Sequence, residues 1–266
     1  MPQPDPTLIP DFDAIVAQYE QFAEPATAAF GARALTMLAV RPGERVVDIA
    51  AGAGALAQPL LDAGAQLTAT DLSAPMVERI RARMAGHPRG VAQVENGEAL
   101  SFADGSFDAA VSMFGIMLFP DFRAGLREMA RVLRLGGRAV VGSWTGVTAP
   151  MRLLQDAASI AAPGRVSPSM PAGVDMLGHE DGMIAALTEA GLSDLRVERV
   201  RLPWTSPPLV TLAADPHAFY AHFPPVRAMT ADERERLYEA MRTIATAEPD
   251  RDFTSSAVIG LGRKPE

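Results

Sequence analysis

The chain has 266 residues, of which 48% are hydrophobic and 21% charged, with a formal net charge of −8 and no cysteine. This is the composition of an ordinary globular protein, and its acidic surface disfavours nucleic acid as the main partner. The missing cysteines exclude disulfides, thiolate metal sites and a cysteine nucleophile. No apolar run approaches the roughly 18 residues that a membrane span needs, and residues 1–13 (MPQPDPTLIPDFD) lack signal-peptide features. We therefore expect no membrane partner and a cytoplasmic location.

Strands and helices alternate along the first half of the chain. Residues 11–40 are predicted to be helical with a break near Pro25. Strands are predicted over residues 44–49, 66–71, 91–95, 107–113 and 138–143, and helices over residues 55–61, after Ser73, and from Asp121 to Gly136-Gly137. This alternation is typical of a parallel sheet with helices on both faces.

The alternation loosens after Trp144. A helix over residues 180–190 and strands over residues 195–202 and 255–263 are separated by two looser segments. The segment 146–178 includes the stretch APGRVSPSMPAG, and the segment 203–250 includes a helix opened by a capping box of Thr230 and Glu233. Because neither segment contributes a predicted strand, we interpret them as insertions over the carboxyl edge of the sheet, where ligands bind in such folds.

The stretch VVDIAAGAGALA (residues 46–57) joins the first strand to a helix through small residues only. Such a turn lets a ligand approach the backbone, and the helix start offers unpaired N–H groups. Its part GAGALA also fits a dinucleotide fingerprint, with Asp71 about 20 residues further on to bind a ribose. A nicotinamide-dependent oxidoreductase is therefore one interpretation.

The position of Asp48 distinguishes a dinucleotide site from a site for another kind of nucleoside. Asp48 lies at the carboxyl end of the first strand, just before the turn. A carboxylate beneath a pyrophosphate is repulsive, whereas a carboxylate near an amino-acid ammonium is favourable. The position of Asp48 thus favours a nucleoside that carries an amino acid.

Four motifs in order resemble the class I S-adenosylmethionine-dependent methyltransferases, in the small-molecule branch near the ubiquinone and menaquinone biosynthesis enzymes. The resemblance covers roughly residues 42–143. The motifs are PGERVVDIAAGAG, TATDLSAPMV, ENGEALSFADGSFDAAVSMFGIMLFPD and LREMARVLRLGGRAVV. It implies a Rossmann-like, mostly parallel seven-stranded sheet with an antiparallel last strand and helical lid insertions. It also implies one methyltransferase domain over residues 1–266, with an N-terminal helical segment (1–41), a cofactor-binding core (42–145) and substrate insertions (146–178 and 203–250).

The resemblance also implies a site for S-adenosylmethionine, with S-adenosylhomocysteine as the product. Tyr19 would close over the methionine carboxylate, and Asp71 would bind the ribose hydroxyls. The methionine would lie against Asp48, Ala50, Ala51, Gly52, Gly54, Met113 and Phe114, and the adenine against Leu72, Met76, Asn96, Gly97 and Glu98. The family usually has glycine at position 50 and aspartate at position 96. Asn96 can still accept a hydrogen bond, without the charge of a carboxylate.

Candidates for chemistry on the methyl acceptor are few. His217 and His222 lie in the aromatic stretch DPHAFYAHFPP and are the candidate catalytic bases. Met117, Phe119 and Tyr220 are the candidate substrate-binding residues. No histidine pair with nearby carboxylates has metal-ligand spacing, so we predict no metal site.

The function expected from these residues is methyl transfer to a small, apolar or aromatic molecule at an O, N or C atom. Two alternatives stay open: an NAD(P)-dependent oxidoreductase, and a protein that binds S-adenosylmethionine without catalysis. A homodimer is an open alternative to a monomer.

Overall fold

The sheet has seven strands, and the computed structural model describes residues 11–164, 166, 170–205 and 207–266. The strands are β1 (Arg45–Ile49), β2 (Gln66–Asp71), β3 (Gly90–Val94), β4 (Phe107–Met113), β5 (Leu133–Trp144), β6 (Ser193–Pro203) and β7 (Thr254–Arg263). Their order is β3-β2-β1-β4-β5-β7-β6. The first five strands pair in parallel, while β7 pairs antiparallel with β5 and β6. The predicted Rossmann-like sheet with an antiparallel last strand is confirmed.

The strand order reverses direction between β1 and β4, which are neighbours in the sheet. From β1 the chain proceeds outward to β2 and β3, and then returns to β4 and β5 on the other side. Such a reversal leaves a crevice beyond the carboxyl ends of the central strands. The ends of β1, β2 and β4 therefore meet at one place.

Helices cover both faces of the sheet. The described helices are α1 (Val16–Gln18), α2 (Glu24–Leu38), α3 (Ala57–Asp62), α4 (Ala74–Arg83), α5 (Phe122–Val132), α6 (Ala149–Ala161), α7 (Ala172–Leu177), α8 (Glu180–Glu189), α9 (Leu209–Ala214), α10 (Pro216–Tyr220), α11 (Pro224–Arg227) and α12 (Ala231–Ala247). One core joins the sheet to α5 and α8 through residues such as Leu126 and Leu187. The other joins it to α2, α3 and α4 through Leu38, Leu60 and Ile80. All five side chains are nearly inaccessible to solvent, so both faces supply hydrophobic stabilisation.

The N-terminal helix is not broken at Pro25, contrary to the prediction. A π-helical segment, Tyr19–Ala23, joins α1 to α2, and Pro25 lies in the first turn of α2. A proline has no N–H to donate, and the first turn of a helix does not require one. The helix therefore continues through the wider π turn into the first turn of α2, and Pro25 does not end it.

The pair Gly136-Gly137 does not end a helix either. Helix α5 stops at Val132, and Leu133 already pairs with Phe107 as the first residue of β5. The pairing of β4 with β5 then shifts register, and Gly136 adopts φ +70° within this irregularity. The two glycines therefore allow a bulge in a long strand. In the sequence, such a glycine pair looks the same as a signal that ends a helix.

The two segments interpreted as insertions are mainly helical where the structure describes them. They carry α6 and α7, and α9 to α12, and helix α12 begins with the predicted capping box of Thr230 and Glu233. Buried residues of α6, α9, α10 and α12 form a core of their own, which includes Leu153, Leu212 and Met241. Residues 165, 167–169 and 206 of these segments, and residues 1–10 of the predicted N-terminal segment, lie outside the described residues.

Arg138 near the middle of β5 joins three elements. Its guanidinium donates to both carboxylate oxygens of Glu44, at 3.0 and 2.7 Å, and to the carbonyl of Leu38 at 2.9 Å. Both side chains of this ion pair are only 11% exposed. The contacts join the end of α2 and the turn before β1 to the sheet.

Replacing Arg138 with methionine is expected to lower the free energy of unfolding by about 2–4 kcal/mol, because Glu44 would keep a largely buried carboxylate without its partner. Urea denaturation measures the change. The control is Arg242→Met, whose ion pairs with Glu235 and Glu239 are exposed and whose loss should change stability by less than about 0.5 kcal/mol. Equal losses in the two variants would contradict a structural role for Arg138.

Candidate active site

A cavity of about 570 Å³ lies beyond the carboxyl ends of the central strands. Its walls come from the N-terminal helix, the loops after β1 to β5, and both segments interpreted as insertions. This volume is within the usual range for small-molecule sites. Of the residues singled out in the sequence, the cavity is lined by Tyr19, Ala50, Gly52, Asp71, Leu72, Met76, Asn96, Gly97, Glu98, Met113, Phe114, Met117, Phe119 and His222.

The turn after β1 relies on left-handed backbone conformations. Ala50 has φ +55° and Gly52 has φ +56°. A Cβ atom at Gly52 would lie 3.1 Å from the Tyr19 hydroxyl, so the Tyr19 ring lies against the bare backbone there. Left-handed alanine is strained, which explains why glycine is the usual residue at position 50.

Asp71 holds this turn in place. Its carboxylate accepts the N–H of Gly52 at 2.8 Å and the N–H of Ser73 at 2.9 Å. The end of β2 is thereby tied to the turn after β1. Burial raises the pKa of Asp71, although the backbone donors oppose that rise. The sequence pointed to Asp71 as a ribose ligand, and the structure adds this anchoring contact.

Asp48 is buried beneath the turn, with 2% of its surface exposed. It lines a small cavity beside the larger one, together with Ala51, Tyr19 and Thr27. Burial, and secondly the charge of Asp71, raises the pKa of Asp48 to about 8. Burial likewise raises the pKa of Tyr19 to about 12. Near neutral pH, therefore, Tyr19 is a neutral hydroxyl, and Asp48 holds a proton unless a cation lies nearby.

The loops after β2 and β3 form one end of the cavity. The Leu72 side chain is 70% exposed there, whereas Met76 is buried on α4. The amide oxygen of Asn96 accepts the N–H of Glu98 at 3.0 Å, which bends the loop after β3. Because an amide oxygen has two lone pairs, Asn96 keeps one for a further donor.

The end of β4 leads into an aromatic wall. Phe114 has φ +64°, a strained conformation for a bulky residue. Its ring stacks on Trp144 with centroids 3.8 Å apart, while Phe30 meets both rings edge-on. Trp144 also contacts Trp204, at 6.1 Å. Stacking and burial thus offset the strain at Phe114 and place its backbone at the centre of the cavity.

Phe119 and Met117 follow this wall. The Phe119 ring packs directly on Gly97, where a Cβ would lie 2.5 Å from the ring. The Met117 sulfur accepts from the Ser143 hydroxyl at 3.4 Å. These contacts fix both side chains between the loop after β3 and the end of β5.

Three of the predicted site residues lie away from both cavities. Tyr220 is fully buried in the helical core, and its hydroxyl donates to the carbonyl of Pro150 at 2.6 Å. His217 is exposed and meets the edge of Tyr238. Gly54 has φ +89° and packs against Ile80 of α4, so it serves helix packing. Neither cavity is lined by these three residues, so the geometry lends no support to the predicted roles of Tyr220 as a substrate contact, His217 as a base and Gly54 as part of the donor turn, and those roles stay predictions.

The methyltransferase domain family matches residues 47–141, which is the segment from β1 to β5. A demethylmenaquinone methyltransferase of Corynebacterium efficiens is 42% identical over 115 residues, which are 43% of this chain and 47% of that protein. The comparisons therefore support a methyltransferase domain of the class I S-adenosylmethionine-dependent type over the matched part of this chain. The resemblance in the sequence is confirmed, and the oxidoreductase alternative falls away.

Two further comparisons extend along more of this methyltransferase. An uncharacterized protein of Mycobacterium tuberculosis is 35% identical over 188 residues, and the match spans 69% of this chain and 66% of that protein, slightly less than two thirds. Phosphoethanolamine N-methyltransferase 2 of Haemonchus contortus, solved with S-adenosylhomocysteine, has a TM-score of 0.58 at 18% identity. It covers 96% of this chain and 58% of that one, and at this identity it supports the fold alone.

The methyltransferase cavity has walls that sequence reasoning missed. Phe12 and Ile15 before α1 and Phe22 of the π-helical segment contribute to it, and the chain after β6 contributes Trp204 and Phe219. Phe22 and Phe219 meet edge-on, with centroids 5.8 Å apart. The one sequence signal for this wall was the aromatic stretch around His222.

Within the described parts of the methyltransferase, no helix is long and apolar enough to cross a membrane. The same residues hold no group of three or more potential metal ligands.

The buried Asp48 predicts how stability depends on pH. Its folded pKa of about 8 lies above the usual unfolded value of about 3.9. The neutral form is therefore favoured in the folded protein, and the stability gained at low pH is lost as the pH rises towards 8. Asp48→Asn removes this loss, so its advantage over wild type in unfolding free energy should grow by about 3 kcal/mol from pH 5 to pH 8.

Urea denaturation at both pH values provides the measurement. Asp62→Asn, at an exposed carboxylate bonded to Gln58, is the control and should follow the wild-type pH dependence. If Asp48→Asn also follows the wild-type pH dependence, Asp48 is already ionised at neutral pH.

Proposed function

We propose that this methyltransferase transfers a methyl group from S-adenosylmethionine to a small, apolar or aromatic acceptor. The observation that supports this is one continuous cavity: strand-end polar groups line one end and aromatic side chains line the other. In such a cavity donor and acceptor would meet at the end of β4, beside Met113 and Phe114. Its concave apolar part, in a cavity of about 570 Å³, suits a small molecule better than a segment of a macromolecule.

The donor would lie across the ends of β1, β2 and β3. Asp71 keeps lone pairs for two ribose hydroxyls, and Leu72, Met76, Asn96 and Gly97 would surround the adenine. The Gly52 backbone and the neutral Tyr19 hydroxyl would meet the methionine carboxylate, and Asp48 would balance its ammonium. A cation beside Asp48 would favour the ionised carboxylate, so we expect donor binding to release a proton near neutral pH.

S-adenosylmethionine, when bound, supplies a methyl group on a sulfonium. The acceptor atom would bond the methyl carbon as the carbon–sulfur bond broke, leaving the electron pair on sulfur. The aromatic wall would shield this reaction from water and orient the acceptor. Alignment of this kind is worth roughly 7–11 kcal/mol of the barrier in favourable cases.

His222 is the candidate base when the acceptor is a hydroxyl. It is half-buried in the cavity wall and the described structure gives it no hydrogen-bond partner. It would take the proton that the hydroxyl loses as the new bond forms. A neutral amine needs no base at that moment, so His222 would matter less for an amine.

Binding without turnover is the second candidate, because methyl transfer requires no side chain that marks the site as catalytic. Release of S-adenosylhomocysteine in the presence of a panel of phenols and amines distinguishes the two. Turnover with any acceptor in the panel would support catalysis over binding alone.

The role of Asp71 predicts the donor affinity of a variant. Asp71→Asn replaces one accepting oxygen with a donor, and we expect S-adenosylhomocysteine to bind about 10–100-fold more weakly, the effect of losing hydrogen bonds to a charged group. Isothermal titration calorimetry measures the affinity, with Asp62→Asn as the exposed control. Wild-type affinity in Asp71→Asn would remove Asp71 from the donor site.

The role of His222 predicts a selective loss of rate. With a phenol acceptor, His222→Gln should reduce kcat by about 10²–10⁴-fold, the usual contribution of a general base. The exposed His217→Gln is the matched control and should retain the wild-type rate. An equal loss with a phenol and with an amine would point to packing and not to proton transfer.

A further inference from the structure

The cavity is divided by the strand order into two ends. Residues after β2 and β3, such as Asp71 and Asn96, lie on one side of β1, and Trp144 at the end of β5 lies on the other. We call the second side the acceptor end and define it by Phe114, Trp144, Gln155, Trp204, Phe219 and His222. Its residues come from the ends of β4 and β5, from α6, and from the chain beside α9 and α10.

Full charges are absent from the acceptor end. Among the described residues that line the cavity there is no lysine or arginine, and the carboxylates are Asp71, Glu95 and Glu98. All three follow β2 or β3, and Glu95 and Glu98 already accept from Ser101 and from the N–H of Asp121. A charged acceptor would therefore enter an apolar wall without a counter-charge, which is strongly unfavourable.

Gln155 is the unpaired amide of this wall. It lies on α6 at helical spacing from Met151, and both line the cavity. The side chain is half-buried, and no described residue provides a hydrogen-bond partner for it. A carboxamide both donates and accepts, so it matches a hydroxyl, a carbonyl or an amide. A half-buried amide in an apolar wall is stabilised when a ligand supplies that match.

We propose that the methyl acceptor is an uncharged, mostly apolar molecule and that Gln155 is a specificity-determining residue that hydrogen-bonds its polar group. This inference rests on the proposed function. The acceptor end as a whole would select the methyl acceptor by its charge. Gln155, which the sequence did not single out, would select it by hydrogen bonding.

Three probes with one ring system test the charge selection: 2-naphthol, 2-naphthoate and 2-(aminomethyl)naphthalene, at a pH where they are neutral, anionic and cationic. Calorimetric titration of the full chain saturated with S-adenosylhomocysteine should show 2-naphthol binding at least tenfold more tightly than either charged probe. Equal affinities, tighter binding of a charged probe, or no binding of 2-naphthol would overturn the proposal.

Two substitutions test the residue. Gln155→Leu should weaken 2-naphthol about tenfold, since it removes the hydrogen bond, and Gln155→Glu should strengthen the cationic probe about tenfold relative to wild type. Gln58→Leu, at an exposed glutamine on α3, should change neither affinity. Unchanged probe affinities in both Gln155 variants would remove Gln155 from the acceptor site.

Titration of S-adenosylhomocysteine alone, in every variant, distinguishes failure of the proposed function from failure of the proposal on the acceptor end. If the donor product does not bind wild type, the proposed function fails. If it binds wild type and the variants equally, the variants are folded, and the probe results bear on the acceptor end alone.

Discussion

The burial of two carboxylates around one turn is the constraint on which the site depends. The parallel pairing of β1 with β2 places Asp48 and Asp71 on either side of the turn from Ala50 to Gly54. Neither is compensated by a described lysine or arginine partner, and burial raises the pKa of both. Burial therefore favours the protonated form of both carboxyl groups in the folded protein, and under the proposed function the ammonium group of the donor would favour the ionised form. Asp71 accepts the Gly52 N–H and would also contact the ligand. One carboxylate would therefore hold both the turn and the ligand.

The sheet and the donor half of the site were predictable because both follow from local sequence. Short β-branched strands and capped helices identify β1 to β5, and strand ends in a parallel sheet meet at one edge. Asp48 and Asp71 lie at the carboxyl ends of β1 and β2, and Asn96 follows β3, so their positions in the chain predicted that they lie at the same edge of the sheet. Where local signals have two meanings the prediction failed: Gly136 marks a bulge in β5, and Pro25 follows a π turn without ending a helix.

The acceptor half was not predictable in the same way, because its walls depend on long-range packing. Tyr220 and Phe219 are adjacent in the chain, yet Tyr220 is buried against Pro150 while Phe219 meets Phe22. In short helices, the spacing of aromatic residues along the sequence does not show whether they line a cavity or pack in the core. Only the arrangement of α6, α10 and the N-terminal helix decides which ring faces the cavity, and these elements are up to two hundred residues apart.

This difference between the two halves also bears on what family membership can say about the acceptor. The family match ends at residue 141, before Trp144, Gln155, Trp204 and His222. The matched part contains the turn and strand ends that, under the proposed function, would contact a donor common to the family. The unmatched part contains the side chains that would contact the acceptor, and a change there alters the wall without disturbing Asp71 or the turn. Donor use can therefore be common to relatives while acceptors differ, so the acceptor of this chain has to be argued from its own cavity, whose acceptor end is apolar and aromatic and includes the amide of Gln155 and the imidazole of His222.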